Sequence, residues 1–127
     1  MKPHGYSTVS PYLVSSGAEA VIRFIEDVFD GELLRRYDNP NGSIHHAEVK
    51  IDDTVIMIGE ANEGFPAFSS LLHIYVDDVD EVFQRALDAG ATSFQPPQKK
   101  KGDPDRRGTV GGPAGNLWAI ATMVDEP

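Results

Sequence analysis

The fold of this chain is decided by one stretch, Leu71-Leu-His-Ile-Tyr-Val-Asp-Asp-Val-Asp-Glu-Val-Phe-Gln-Arg-Ala-Leu-Asp-Ala-Gly-Ala-Thr92. Over residues 71–76 the side chains alternate with a period of two, which is typical of a β-strand. Two aspartates follow, and either can accept hydrogen bonds from the free N–H groups of a first helical turn. The apolar residues that follow recur at helical spacing; they are Val79, Val82, Phe83, Ala86 and Leu87. Gly90 suits the left-handed conformation that ends a helix. The stretch therefore predicts a strand, a capped helix and the start of another strand.

The first half of the chain contains the same pattern about 61 residues earlier, a spacing that indicates an internal repeat. It predicts a first strand over residues 8–14 and a helix that is capped by Ser15 or Ser16 and stopped by Gly31. The further strands of this half are predicted at 32–37, 44–51 and 54–60. The second half has a predicted helix at 78–89 and predicted strands at 71–76, 92–95, 108–111 and 117–124.

This repeat predicts an α+β fold that is built from two βαβββ modules. Each sheet can bury one face under its own helix, and the two remaining faces can together wall a cleft. We expect a single domain over residues 1–127, with module one at about 8–60, a linker at 61–70 and module two at about 71–124.

Composition and charge exclude several classes of function. The chain has 127 residues, of which 40% are hydrophobic, and this is enough for one buried core. The formal net charge of −9 argues against binding to nucleic acid and is compatible with a cationic or neutral small ligand. The absence of cysteine excludes disulfides and thiolate chemistry. The sequence shows no signal peptide and no membrane span, so we expect a cytoplasmic protein with no membrane partner.

Several motifs resemble one known superfamily. The second half contains Val-Asp-Asp-Val-Asp at 76–80, Ala-Gly-Ala-Thr at 89–92 and Asp-Arg-Arg-Gly-Thr-Val-x-x-Pro-x-Gly-Asn-Leu-Trp at 105–118. These motifs resemble the vicinal oxygen chelate (VOC) superfamily, which includes glyoxalase I, bleomycin-resistance proteins and extradiol dioxygenases. Pro-Tyr-Leu-Val at 11–14 and His-Ala-Glu at 46–48 are similar to its PhnB-like branch. The resemblance implies paired βαβββ modules, an open U-shaped mixed sheet around a cleft, and a homodimer.

The resemblance also implies where a metal would be held, because metal-using members place one ligand on each of four strands. Those four positions fall on Ser10, near Met57, on Leu71 and on Ala119. None of them is a histidine or a carboxylate, and a divalent metal needs several nitrogen or oxygen ligands. We therefore predict no metal and no other cofactor. If a divalent metal does bind, the fallback ligands are His46, Glu60 and His73.

Strand parity gives a candidate lining for the cleft, namely the side chains that alternate with the helix-facing ones. The predicted ligand-binding residues are Ser10, Tyr12, Met57, Leu71, His73, Tyr75 and Ala119. His46 and Glu48 lie two positions apart on one face of a strand, which suits a catalytic acid–base pair but equally an exposed surface pair. Tyr12 and Tyr75 could stack on a ligand or simply fill the core, and Trp118 is predicted to be a core residue.

One segment of unusual charge lies outside the predicted strands. Residues 96–108 hold Lys99, Lys100, Lys101, Arg106 and Arg107, and the segment is predicted to be a loop. Such a loop could close over a cleft, bind an anion, or be a solvated connection. Shortly after it, residues 112–115 read Gly-Pro-Ala-Gly where PhnB-like chains usually carry Asp-Pro-Phe-Gly, so a carboxylate and an aromatic ring are missing.

Three functions remain open from the sequence. The first is a binding protein that sequesters a small aromatic or cationic compound. The second is a glyoxalase-type lyase or isomerase, or a dioxygenase, that recruits a metal through atypical ligands or uses His46 and Glu48 as a base without one. The third is a non-catalytic interaction module whose cleft is filled by its own side chains.

Overall fold

The structure of the protein is a computed structural model that describes residues 1–126. It contains two compact units, one of residues 1–69 and one that begins at Ser70. The elements of the first unit are β1 (Tyr12–Ser15), α1 (Ala18–Phe29), β2 (Glu32–Asp38), β3 (Ile44–Ile51) and β4 (Thr54–Glu60). Those of the second are β5 (Leu71–Tyr75), α2 (Val79–Asp88), β6 (Thr92–Lys99), β7 (Asp105–Gly111), a 3-10 turn (Pro113–Gly115) and β8 (Leu117–Met123).

Each unit contains one four-stranded mixed sheet, and the two sheets have the same strand order. The order is β1-β4-β3-β2 in the first unit and β5-β8-β7-β6 in the second. In both sheets the first strand pairs in parallel with the last one, while the other pairs are antiparallel. A parallel pair needs a crossover connection, and the helix of each unit forms part of it. The predicted α+β fold with two βαβββ modules is confirmed.

The core of each unit lies between its helix and one face of its sheet. The residues of α1 that recur at helical spacing are all buried; they are Val21, Ile22, Ile25, Val28 and Phe29. Helix α2 buries Val79, Val82, Phe83 and Ala86 in the same way. Burial of a large apolar side chain contributes about 1.5–3 kcal/mol. Trp118 of β8 is only 1% exposed, so it is a core residue as predicted.

The first strand is shorter than predicted, because β1 begins at Tyr12 and not at residue 8. Pro11 has no N–H group to donate to a neighbouring strand, and only its carbonyl takes part, accepting a hydrogen bond from Met57 N at 3.0 Å.

The predicted role of Gly31 as the helix stop is also wrong. Helix α1 ends at Phe29, and it is Asp30 that adopts the left-handed conformation, with φ of 55°.

Gly31 is required for a different reason, which is the lack of space for a side chain. A Cβ atom at this position would lie 2.6 Å from Ile25 Cγ2 and 2.8 Å from Val49 Cγ1. Both of these neighbours are fully buried and cannot move aside. Glycine therefore permits the close approach of the α1–β2 connection to the core.

The basic segment at 96–108 is mostly not a loop, which corrects the prediction. β6 continues to Lys99 and β7 begins at Asp105, so the connection is confined to residues 100–104. Two prolines are tolerated in β6 because it is an edge strand, and its register with β7 is irregular there. Arg106 forms a two-pronged ion pair with Asp80 of α2, with Nη2 and Oδ1 2.9 Å apart. Its guanidinium is therefore engaged within the unit and not displayed for an anion.

The segment predicted as a linker is attached to β1. Ala61 N donates to the carbonyl of Ser15 at 3.0 Å, and Phe68 N donates to the carbonyl of Val14 at 3.2 Å. Between them, Asn62 Oδ1 accepts hydrogen bonds from the backbone N–H groups of residues 64 and 65, which closes a turn. The segment thus belongs to the first unit, and it places two phenylalanines beside the first strand.

The N-terminus of α1 is capped by Glu60, at the end of β4, and the predicted cap by Ser15 or Ser16 is wrong. The two carboxylate oxygens of Glu60 accept hydrogen bonds from Gly17 N and Ala18 N, each at 3.0 Å. The N-cap residue itself is Gly17, which has no side chain to supply a cap. A negative charge is also favourable at the positive end of the helix dipole.

Replacement of Glu60 should remove the hydrogen bonds that connect the end of β4 to the N-terminus of α1. We expect Glu60→Ala to lower the free energy of unfolding by about 1–2 kcal/mol, because two helical N–H groups lose their acceptor. Glu60→Gln should cost less, since its amide oxygen can still accept one of the two bonds. Urea unfolding followed by circular dichroism measures the difference. Glu63→Gln, at an exposed position of the same segment, is the control; equal stability of Glu60→Ala and this control would contradict the cap.

Candidate functional site

The helix-free face of the first sheet carries a row of side chains that crosses all four strands. The strand registers place Tyr12 beside Met57, Met57 beside Glu48, and Glu48 beside Arg35. Residues that are paired across neighbouring strands project from the same face of a sheet. This row therefore lies opposite to the face that packs under α1. It brings together four residues that are separated in sequence by up to 45 positions.

A chain of hydrogen bonds runs along this face from Tyr6 through Glu48 and His46 to Tyr12. The hydroxyl of Tyr6 donates to Glu48 Oε1. His46 Nε2 lies 2.9 Å from Glu48 Oε2, and His46 Nδ1 lies 3.1 Å from the hydroxyl of Tyr12. When Glu48 is ionised, His46 Nε2 donates to it, which leaves Nδ1 of a neutral imidazole as the acceptor for the Tyr12 hydroxyl. Glu48 is only 5% exposed, so this is not an ordinary surface pair.

Neighbouring groups stabilise the ionised form of Glu48. Burial of the carboxyl group acts to raise its pKa, but hydrogen bonds from Tyr6 and His46 oppose this effect, and Arg35 lies 3.5 Å away. The net result is a pKa of Glu48 below its ordinary value. Burial raises the pKa of Tyr12, so its hydroxyl stays protonated at neutral pH. The chain therefore has an ionised carboxylate in its interior and a neutral hydroxyl at its Tyr12 end.

Gly59 of β4 makes room for the Tyr12 ring. A Cβ atom at Gly59 would lie 3.0 Å from the Tyr12 hydroxyl and 3.0 Å from the carbonyl oxygen of His45. The ring of Tyr12 also lies close to that of His46, with centroids 5.6 Å apart. The missing side chain at Gly59 thus allows the Tyr12 hydroxyl to reach the imidazole.

A pocket of about 810 Å³ opens over this end of the first sheet. Its lining combines strand residues of β1, β3 and β4 with the segment that follows β4; the residues are Tyr12, Val14, His45, His46, Gly59, Glu60, Asn62, Gly64, Phe65 and Phe68. Phe65 and Phe68 are 68% and 53% exposed, although they belong to the most apolar residue types. The volume lies within the range of about 300–1,000 Å³ that is usual for small-molecule sites.

The second unit has its own polar cluster on the helix-free face of its sheet. The hydroxyl of Tyr75 donates to Asp105 Oδ2 at 2.7 Å, and this hydrogen bond raises the pKa of Tyr75. Arg107 is paired with Asp103 and lies 3.6 Å from Asp105, while its Nη1 is 3.4 Å from His73 Nε2. These groups satisfy one another within the second unit.

The predicted site residues fall into two sets that belong to different units. In the first unit, Tyr12, His46, Glu48 and Met57 lie on one face as predicted, and Ser10 is half-buried just before β1. In the second unit, His73 lies in the same register row as Ala119, which is only 7% exposed. Leu71 and Tyr75 are 70% and 63% exposed. Their roles in ligand binding stay predictions.

Sequence reasoning missed four residues that help to build the first-unit site, namely Tyr6, Arg35, Phe65 and Phe68. Tyr6 lies before the first strand, where no periodic pattern exists. Phe65 and Phe68 lie in the predicted linker. Two phenylalanines three residues apart in an otherwise polar connection are the available signal, because clustered exposed apolar side chains often mark a binding site.

Comparison with known proteins identifies the family of the chain. The model of the Glyoxalase/Bleomycin resistance protein/Dioxygenase superfamily matches residues 8–120. The chain belongs to this superfamily. An uncharacterized protein of Mycobacterium bovis is 32% identical over 129 residues, covering 93% of this chain and 84% of that protein. A Mycobacterium tuberculosis relative is also 32% identical, over 93% of this chain and 75% of its own length.

Solved structures with the same fold include an antibiotic resistance protein. TioX from Micromonospora sp. ML1 has a TM-score of 0.78 at 26% identity, covering 92% of this chain and 98% of TioX. The fosfomycin resistance protein FosX from Mesorhizobium loti has a TM-score of 0.66 at 16% identity, covering 91% of each chain. No helix within residues 1–126 combines the length and the apolar composition that are needed to cross a membrane.

The residues at the implied metal positions of this chain do not match the histidine and carboxylate ligands that metal-using members carry. Among residues 1–126, no group of three or more histidine and carboxylate side chains is arranged to hold a metal ion. Each fallback ligand also has another partner. Glu60 caps α1, His46 is bonded on both ring nitrogens to Tyr12 and Glu48, and His73 lies against Arg107.

The pH dependence of stability should reveal the environment of Glu48. Because its pKa is lower in the folded protein than in the unfolded chain, Glu48 stabilises the fold above its ordinary pKa of about 4.3, and this contribution is lost as the pH falls through the lowered value. We expect Glu48→Gln to show a shallower loss of unfolding free energy below that pH than the wild type. Urea unfolding at several acidic pH values measures the slope. A slope for Glu48→Gln equal to those of the wild type and Glu63→Gln would refute the assignment.

Filling the space at Gly59 should separate Tyr12 from His46. We expect Gly59→Ala to cost about 1–3 kcal/mol of stability, because the new methyl group overpacks against the Tyr12 ring. It should also change the ¹⁵N chemical shift of His46 Nδ1, which loses its hydrogen bond. Tyr12→Phe is the matched variant, since it removes the same hydrogen bond without overpacking. An unchanged His46 spectrum in both variants would show that the Tyr12–His46 bond is absent in solution.

Proposed function

We propose that this protein is a PhnB-like member of the glyoxalase/bleomycin resistance superfamily that binds a neutral or cationic aromatic small molecule in its first-unit pocket. The observation that carries the proposal is the pocket itself. Its lining combines the exposed side chains of Phe65 and Phe68 with polar residues that include Tyr12 and His46. Apolar walls with a few convergent polar groups are typical of ligand sites. Aromatic side chains on both floor and wall favour a planar ring that can stack between them.

The charges around the pocket support a ligand without negative charge. No lysine or arginine is among its lining residues, whereas Glu60 is one of them. The positive end of α1, which would otherwise attract an anion, is already occupied by the Glu60 carboxylate. The formal net charge of −9 acts over a longer range in the same direction.

We further propose that binding does not require a metal. This rests on the donor set: Ser10, Met57, Leu71 and Ala119 stand where metal-using relatives carry ligands, and their side chains are poor ligands or none at all. His46 and Glu60, which line the pocket, already have hydrogen-bond partners within the first unit. We also expect a homodimer and a cytoplasmic location, as the resemblance to the VOC superfamily implies.

A second candidate function is acid–base catalysis of the lyase or isomerase type without a metal. The observation that favours it is the hydrogen-bonded chain of Tyr12, His46 and Glu48, because a carboxylate that orients an imidazole is a recurrent arrangement for proton transfer. In this reading the Tyr12 hydroxyl, which lies at the pocket, would exchange the proton with the bound molecule. Binding is the first proposal because it requires only the pocket, whereas catalysis also requires a reactive substrate.

A thermal-shift screen with neutral and cationic aromatic compounds tests the binding proposal. A ligand present at about ten times its dissociation constant should stabilise the native protein by about 1.4 kcal/mol, because it binds only the folded state. We expect hits whose stabilising effect is lost in Phe65→Ala and Phe68→Ala. Phe94→Ala is the control, since Phe94 is 64% exposed in the second unit and its removal should leave the effect intact.

Two outcomes of this screen would contradict the proposal. One is the absence of any stabilising aromatic compound, and the other is a set of hits that is insensitive to both pocket variants. Elemental analysis of protein purified without a histidine tag tests the metal-free part separately. We expect no stoichiometric zinc, nickel, manganese or iron; one equivalent of any of these metals would overturn it.

A further inference from the structure

A second, smaller cavity adjoins the aromatic pocket. It has a volume of about 370 Å³, and its lining is almost entirely polar: Asn39, Asn41, Ser43, His45, Glu60, Ala61 and Asn62. Three of these residues, His45, Glu60 and Asn62, also line the aromatic pocket. The two cavities therefore share a wall, and the β2–β3 turn at residues 39–43 forms the far side of the smaller one. We call the smaller cavity the polar annex.

The polar annex is lined by two asparagines, Asn41 and Asn62, whose side-chain oxygens are used by the fold but whose amide nitrogens are not. Asn41 Oδ1 accepts hydrogen bonds from Ser43 N at 3.0 Å and Ser43 Oγ at 2.7 Å. Asn62 Oδ1 accepts from the backbone N–H groups of residues 64 and 65, at 2.9 and 3.0 Å. Because a backbone N–H can only donate, these contacts identify the oxygen of each amide. The Nδ2 groups of Asn41 and Asn62 then have no hydrogen-bond acceptor among residues 1–126.

Charge restricts what the polar annex can hold. The only carboxylate in its lining is Glu60, whose two oxygens already accept hydrogen bonds from the N-terminus of α1. No lysine or arginine lines the annex, so a phosphate or carboxylate would lack a counter-charge. Two asparagines with free amide donors, together with a histidine, suit a neutral group with several hydrogen-bonding atoms. Hydroxyl-rich and amide-rich groups share this chemistry.

We propose that the natural ligand has two parts, a planar aromatic ring in the aromatic pocket and a neutral, hydroxyl-rich or amide-rich group in the polar annex. This inference rests on the proposed function, since it extends the ligand of the same pocket. The amide of Asn62 lies at the junction, and the amide of Asn41 contacts only the annex part. The annex selects conjugates of an aromatic ring over the bare ring.

Four coumarin probes test the proposal by isothermal titration and by NMR. They are methylumbelliferone methyl ether as the bare ring, methylumbelliferyl β-D-glucoside as the hydroxyl-rich conjugate, the N-acetylglycine amide of aminomethylcoumarin as the amide-rich one, and methylumbelliferyl phosphate as the charged one. We expect at least one neutral conjugate to bind about tenfold more tightly than the ether, which corresponds to one or two additional hydrogen bonds. The glucoside and the amide then distinguish a carbohydrate from a peptide-like group. We expect the phosphate to bind no better than the ether.

The variant Asn41→Asp isolates the annex. It keeps the oxygen that accepts from Ser43 but replaces the Nδ2 donor by an acceptor, and Asn41 does not line the aromatic pocket. We expect it to abolish the tenfold gain of the neutral conjugate and to leave the affinity for the ether unchanged. Gln98→Glu, in the second unit, controls for the added negative charge. In the wild type, the side-chain amide signals of Asn41 should shift with the neutral conjugate but not with the ether.

The outcomes separate this inference from the proposed function. Binding of the ether together with no gain for either neutral conjugate, or a gain that survives Asn41→Asp, would overturn the two-part ligand and leave aromatic binding in place. Tightest binding of the phosphate would overturn the neutrality of the annex. Failure of all four probes to bind at millimolar concentration would overturn both proposals.

Discussion

The parallel pairing of β1 with β4 is the constraint on which the first-unit site depends. Its register sets Tyr12 against Met57 and Ser15 against Glu60. The antiparallel register of β4 with β3 then carries this alignment to Glu48. A shift by one residue would turn every one of these side chains to the opposite face of the sheet. The buried face under α1 excludes that shift, so the hydrophobic core also determines which polar groups meet on the other face.

The same pairing explains why the carboxylates of this unit are poor candidates for metal binding. Glu60 ends β4 directly beside the start of α1, and its carboxylate serves as the helix cap. Glu48 is a buried member of the row and is satisfied by Tyr6 and His46. The pocket lining therefore offers the hydroxyl of Tyr12, the imidazole of His46, the side-chain amide of Asn62 and aromatic rings. This inventory suits the recognition of an uncharged or cationic ligand better than the coordination of a divalent ion.

The sequence predicted the regular elements well wherever hydrophobic periodicity and local caps agreed. β3 and β4 have their predicted bounds, Asp78 caps α2 by accepting a hydrogen bond from Glu81 N at 3.2 Å, and Gly90 has a φ of 102°. Within the site, strand parity placed His46 and Glu48 on one face, and the resemblance to the superfamily supplied the matching face of Tyr12. These features are local, or repeat with a fixed period, so a single sequence contains the information for them.

The remaining features depend on contacts between residues that are distant in the chain. The Glu60 cap acts across 43 residues, and Tyr6 reaches Glu48 across 42. No local pattern identifies either partner. The continuation of β6 through two prolines was missed because proline normally argues against a strand, and it is tolerated here only at the sheet edge. The aromatic wall was missed because its residues lie in a connection, which hydrogen bonds to β1.

We propose that an aromatic ligand binds in the first-unit pocket without the help of a metal ion. The most direct test is calorimetric titration of one stabilising aromatic compound into the protein before and after exhaustive dialysis against a chelator. We predict the same affinity and a stoichiometry near one per chain in both titrations. Loss of binding after chelation, with recovery on addition of a divalent metal, would contradict the claim.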